Sequence, residues 1–132
     1  MRPVRIAQIG VGHDHASSTY DSLKRQTVLF ELVGIAEPDA SRAVYEGARR
    51  YTVDELLAMP DLEAVAIETE ERLSTQYAQA FAERGVAVHL DKPGSQDLAA
   101  FTRLVETLRA KSLPLHMGYM YRYNPTIRRA LD

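Results

Sequence analysis

Gly10-Val11-Gly12-His13-Asp14-His15 stands directly after a short apolar run, Val4–Ile9, and directly before a stretch with helical spacing of apolar residues. A strand that ends on glycine can turn sharply, and a second glycine lets an anion approach the backbone. The helix amino terminus behind it offers free N–H groups and the positive end of a dipole. These are the requirements for cradling a pyrophosphate. The pattern here is G-x-G-x-x-H, with His15 where a third glycine normally allows close helix–strand contact. Gly10, Val11, Gly12, His13 and His15 are therefore the candidate phosphate-binding residues, and His15 is expected to contribute to the turn without binding metal. Glu37 follows the next apolar run, where a carboxylate can accept hydrogen bonds from an adenosine ribose. It would repel a 2′-phosphate, so NAD is expected over NADP. Arg42, close behind in sequence, could soften that choice by pairing with phosphate or stacking on adenine. A plain turn with a solvated glutamate is the alternative, but the glycines lie between a strand and a helix, as the fingerprint requires.

Asp91-Lys92-Pro93 is the second constellation. It follows the apolar run Val86–Leu90, and in doubly wound sheets ligands gather beyond the carboxyl ends of strands. Lys92 is thus expected in the same crevice as Gly12. A lysine there can hold a substrate hydroxyl electrostatically and exchange a proton with it, although a loop lysine taken alone is more often simply solvated. His13 and His15 could form a metal pair. Residues two apart at a helix start are expected to diverge, however, and no carboxylate or cysteine cluster stands near them in sequence, so no metal is expected. His89 and His116 fall near the ends of two strands that should be neighbours, where a hydrogen-bonded histidine is the plain account.

The elements that must position these residues alternate between short apolar runs and longer helical patterns, the mark of an α/β parallel sheet. Strands are expected at Val4–Ile9, Phe30–Ala36, Ala64–Thr69, Val86–Leu90 and Leu113–Gly118. Helices are expected from about His15 to Arg25, from near Ala40, and after Thr52, where Thr52 and Glu55 read as a capping box. A further helix should present Leu73, Tyr77, Ala80 and Phe81 on one face, with Gly85 as its left-handed cap. Ser95 is expected to cap a helix with an apolar stripe of Leu98, Phe101, Leu104, Val105 and Leu108. Asn124-Pro125 reads as the start of a last helix, with asparagine as cap.

Bulk properties bound the function classes. The 132 residues fit one domain, with 45% hydrophobic and 26% charged residues, an ordinary globular composition. A net charge of −2 gives no basic balance for nucleic acid or an anionic membrane. Cysteine is absent, which excludes disulfides and thiolate chemistry and fits a reducing cytoplasm. The opening apolar run is too short for a signal peptide or membrane span. A cytoplasmic protein is expected.

Taken together, the strand–G-x-G–helix start, the acid after strand two and the D-K-P triplet resemble the glucose–fructose oxidoreductase, inositol dehydrogenase and rhizopine catabolism (Gfo/Idh/MocA) family. Ala64-Val-Ala-Ile-Glu-Thr-Glu, Gly85-Val-Ala-Val-His-Leu-Asp-Lys-Pro and Gly118-Tyr-Met-Tyr-Arg-Tyr-Asn-Pro extend the likeness to the chain end. The resemblance implies a doubly wound Rossmann sheet of strand order 3-2-1-4-5-6 over residues 1–118. An exit segment, 119–132, would lead towards a second α/β substrate domain absent from this chain. It implies use of NAD or NADP to oxidise or reduce a hydroxyl carbon on a sugar or cyclitol. Lys92 would touch cofactor and substrate and act in catalysis, beside Asp91, which stands where the family usually has glutamate. Thr69-Glu70-Glu71 replaces the usual T-P-N, placing Thr69 and Glu70 on the cofactor path and bringing two carboxylates towards it. This chain alone is then expected to bind cofactor without turnover, and apolar surface at Tyr119–Tyr123 would favour a homo-oligomer. A non-catalytic nucleotide sensor of the same fold is the runner-up. A methyltransferase, which also uses a glycine-rich turn, is disfavoured by the D-K-P triplet.

Overall fold

The structure is a computed structural model that describes residues 2–132. Five parallel strands form one sheet: β1 (Val4–Ile9), β2 (Phe30–Ala36), β3 (Ala64–Ile67), β4 (Ala87–Leu90) and β5 (Leu115–Met117), in the order β2-β1-β3-β4-β5. The connecting helices are α1 (Ala16–Arg25), α2 (Val53–Ala58), α3 (Glu71–Arg84) and α4 (Leu98–Ala110). A short 3₁₀ turn, Met120–Tyr123, and α5 (Pro125–Leu131) end the chain. The doubly wound parallel sheet is as expected, with one difference in its outline. The outer position beyond β2 is reduced to a single parallel bridge between Ile35 and Arg50, so the six-strand order is realised with five strands. Residues 38–50 contain no apolar run longer than Ala43-Val44-Tyr45, too little to hold a sheet edge.

Three helix expectations need correction. No helix starts near Ala40. The Asp39 carboxylate accepts from both the amide and the hydroxyl of Ser41, at 2.9 and 2.7 Å, and this local turn competes with helix formation. Helix α4 is capped by Asp97, which accepts from the Ala100 amide at 3.1 Å, while Ser95 accepts from Asp97 itself. Leu98 therefore lies outside the buried stripe and is 81% exposed, leaving Leu104 and Leu108 at its centre. On α3 the buried face is Ser74, Thr75, Ala78, Phe81 and Ala82, rotated from the face the larger residues suggested. Small side chains on that face let α3 lie close to its neighbours. The local signals hold elsewhere. Thr52 and Glu55 form a reciprocal capping box, Gly85 ends α3 in the left-handed conformation, and Asn124 caps α5. No helix of the described residues is long and apolar enough to cross a membrane.

Side chains alternate across a strand, so each strand divides its sequence between two faces. Ala7 and Ile9 of β1, Val65 and Ile67 of β3, and Val88 and Leu90 of β4 join one cluster with Leu56, Ala78, Phe81, Leu104 and Leu108. That face is closed by α2, α3 and α4. On the other face α1 covers only one side of the sheet, through Ile6, Leu23 and Ala66. The remainder is an open cleft of about 720 Å³ whose lining includes Ala64, Ala66, Ala87, His89, Pro114 and His116.

Candidate functional site

The carboxyl ends of β1, β2, β3 and β4 all open onto one edge, and every candidate residue lies there. β1 ends at Gly10, which adopts a φ of +87°; a Cβ there would lie 2.6 Å from the Thr69 side chain and 2.8 Å from its backbone. Only glycine fits. Buried Gln8 fixes the turn from below, its amide nitrogen donating to the carbonyls of Gly10 and Ala16 at 3.0 and 3.2 Å. Glu37, at the end of β2, accepts from the Val11 amide at 2.7 Å and from the Asp39 amide at 2.8 Å. The amides of His13 and His15 are taken by the Glu68 carbonyl and by His13 Nδ1. Among the described residues no protein group accepts from the amides of Gly12 or Asp14. The amides left over thus sit at the amino end of α1, where an anion is favoured.

Those two residues border a cleft of about 340 Å³, shared with His13, Glu70, Glu71, Arg72 and Gln96. Glu70 is flanked by Arg42 and by Arg72, the latter at 2.9 Å. Hydrogen bonds from Arg72 and then Arg42 hold its carboxyl below the usual range, and the Glu70 contact raises the Arg42 guanidinium. The negative charge that Glu70 brings to this cleft is therefore bracketed by two cations. A turn that admits no Cβ, two unclaimed amides and two guanidiniums at one cleft fit a pyrophosphate. Thr69 is buried, with its hydroxyl turned to the Glu70 carbonyl and its side chain against Gly10. It sits beneath the turn and not on the cleft surface.

On the α1 side of the same edge the histidines converge. His15, which precedes α1, places Nδ1 2.8 Å from Asp91 Oδ2, and His13 Nδ1 lies 3.3 Å from the same oxygen. The two rings are 5.2 Å apart, so the expected divergence of His13 and His15 is overturned. The tight turn before α1 bends the backbone enough to point both rings at the end of β4. Asp91 accepts from the Lys92 amide through Oδ1 at 2.7 Å. Lys92 is exposed and shares a cavity of about 360 Å³ with His15, Gly118, Tyr119, Met120 and Tyr121. His89 and His116 form the other half of the group, with Nδ1 atoms 2.7 Å apart. Burial, then the neighbouring His89, lowers the His116 imidazole below its ordinary range.

Residues 4–119 match the Gfo/Idh/MocA family model, described as an oxidoreductase family with an NAD-binding Rossmann fold. The chain belongs to the Gfo/Idh/MocA oxidoreductase family. It is 28% identical to inositol 2-dehydrogenase 4 of Saccharopolyspora erythraea over 94% of its own length and 38% of that protein's. KijD10, a 3-ketoreductase from Actinomadura kijaniata solved with TDP-benzene and NADP, matches with a TM-score of 0.85 and 25% identity. That match covers 99% of this chain and 43% of KijD10. UDP-N-acetylglucosamine 3-dehydrogenase from Acidithiobacillus ferrooxidans matches with a TM-score of 0.81 and 26% identity, again over 99% of this chain and 43% of its own. The chain thus spans about two-fifths of the length of these relatives.

Within the Gfo/Idh/MocA frame, the glycine turn, Glu37 and Glu70 form one group around Gly12, while His13, His15, Asp91 and Lys92 form another. Two residues escaped the sequence reading. Glu68 has both carboxylate oxygens buried and lies between His13 and His89. Gln8 ties the turn to α1. Gln8 lies within β1 and Glu68 directly follows β3, each in step with every second residue of its strand, and that alternation is the available signal.

Proposed function

We propose that this Gfo/Idh/MocA chain is the cofactor-holding part of an NAD-dependent dehydrogenase that oxidises or reduces a hydroxyl carbon of a sugar- or cyclitol-like substrate. Residues 1–118 would form the cofactor domain and 119–132 the exit segment to substrate-binding structure. The observation that carries this reading is the β1–α1 turn, with its sterically required Gly10 and the unclaimed amides of Gly12 and Asp14. Gly12 and Asp14 would hold the pyrophosphate, with Arg42 and Arg72 contributing charge. Glu37 would exchange its backbone contacts, in part, for a ribose diol. A bound dinucleotide supplies the hydride acceptor or donor. Lys92 would hold the substrate hydroxyl at the cavity it shares with His15 and move its proton.

NAD is proposed over NADP because the Glu37 and Asp39 carboxylates would repel a 2′-phosphate, against one guanidinium from Arg42. Calorimetric titration of both dinucleotides into the wild type and Glu37→Ala tests this. NAD should bind more tightly to the wild type, and the variant should lose the preference; equal or tighter NADP binding by the wild type overturns it. The 132 residues are proposed to bind cofactor without completing a substrate site, since positioning of the reactants supplies much of catalysis. An NAD-reduction assay over sugars and cyclitols should show no turnover. Robust turnover abolished by Lys92→Ala would place a whole active site within this chain.

A further inference from the structure

We infer that His13, His15 and Asp91 form a binding site for a divalent transition-type cation such as zinc. One ligand atom from each residue lies within 4.8 Å of the others. Asp91 Oδ2 is 2.8 Å from His15 Nδ1 and 3.3 Å from His13 Nδ1. Zinc bonds to nitrogen and oxygen are about 2.0–2.2 Å long, so ligand atoms around one tetrahedral ion stand about 3.3–3.6 Å apart. His13 and Asp91 are already at that spacing, and the hydrogen-bonded His15–Asp91 pair would open slightly to admit the ion. Two imidazoles and one carboxylate suit zinc, and three protein ligands leave a position open for water or substrate. The elements hold the set in place. His13 and His15 sit on the turn fixed by Gln8 and Gly10, and Asp91 is anchored through its other oxygen by the Lys92 amide. His13 Nδ1 also accepts the His15 amide at 3.2 Å, a long bond that an ion at this nitrogen would replace.

A second observation points to a cation independently. Glu68 is fully buried, and neither carboxylate oxygen has a hydrogen-bond partner among the described residues. Its Oε2 faces His13 Nδ1 at 3.8 Å and its Oε1 faces His89 Nε2 at 3.7 Å. A carboxylate taken out of water needs compensating positive charge or donors. An ion held by His13, His15 and Asp91 supplies that charge near Glu68, which would act as a supporting counter-ion. The ion would also border the cavity that His15 shares with Lys92. A cation there could polarise an oxygen of whatever enters that cavity.

The test needs no substrate. The purified chain, stripped with chelator, is titrated with zinc by calorimetry and with cobalt by visible absorption. Expected are one ion per chain and an intense visible cobalt spectrum of a low-coordinate nitrogen–oxygen site. Both should be lost in Asp91→Asn and in His15→Gln, with circular dichroism checking that each variant stays folded. Glu68→Gln should weaken zinc about tenfold, as loss of a supporting carboxylate does. His116→Gln should leave binding unchanged. Absence of saturable binding overturns the site. So does binding that survives both Asp91→Asn and His15→Gln, or that disappears only with His116→Gln. Because the ions are added alone, this outcome is separate from whether the chain binds NAD.

Discussion

On the α3 side of the sheet, β3 and β4 present Val65, Ile67, Val88 and Leu90; on the α1 side the same strands present Ala64, Ala66, Ala87 and His89. The first face is closed by three helices and contains Phe81, Leu104 and Leu108 with essentially no exposure. The second is half covered and carries the cleft and all four histidines. One set of strands therefore does two jobs. Bulky branched residues on one face build the core that holds the edge rigid. Small and polar residues on the other leave room and put titratable groups beside the β1–α1 turn. Parallel sheets are ordinarily covered on both faces, so the open side is where stability is given up.

The sharpest way to break this contrast is to truncate both faces. Phe81→Ala should cost about 3–5 kcal/mol, read as a shift of the urea midpoint. Phe30→Ala, at the edge of the cleft, should cost well under half of that. Equal losses would mean the two faces are packed alike. Enlarging small residues probes the same difference from the other direction. Ala78→Leu, buried on α3, should cost about 1–3 kcal/mol through overpacking, whereas Ala87→Leu should be close to neutral because its side chain meets the cleft.

A smaller effect concerns the charges at the turn. Arg42→Ala leaves Glu70 with Arg72 alone and should weaken NAD binding modestly. The loss should shrink as salt is added; an unchanged affinity would remove Arg42 from the cleft. The smallest effect is the pH response of the open face. Burial and His89 lower the His116 imidazole in the folded chain. The unfolded chain therefore takes up that proton first as pH falls. His116 favours the fold above the ordinary imidazole range, and that contribution is lost as pH falls from there through the lowered folded-state value. His116→Gln should flatten this part of the stability–pH curve, and an unaltered curve would contradict the assignment.

Much of the fold was legible because its signals are local. The capping box at Thr52 and Glu55, the cap at Asn124 and the apolar runs each depend on neighbours a few residues away. The helix expected near Ala40 failed because Asp39 binds Ser41, a competing local turn of equal plausibility in sequence. The glycine turn and Glu37 were legible for the same reason, since a fingerprint records spacing along one chain segment. The meeting of His13 and His15 with Asp91 was not, because it depends on β1 and β4 ending at the same edge with β3 between them. Glu68 reads in sequence as the end of an apolar run, although the alternation of β3, continued one residue beyond Ile67, puts it in step with Ala64 and Ala66.

The most direct test of dinucleotide binding at the β1–α1 edge is a map of backbone amide NMR shifts on titration with NAD. Shifts should cluster at residues 10–15, Glu37, Thr69–Arg72 and Asp91–Lys92, with the amides of Gly12 and Asp14 moving most. Ala64, Ala87 and Pro114's neighbour Leu115, on the strands that floor the open cleft, should remain still. Shifts concentrated in that cleft, or none at saturating NAD, would contradict the assignment of the turn as the cofactor site.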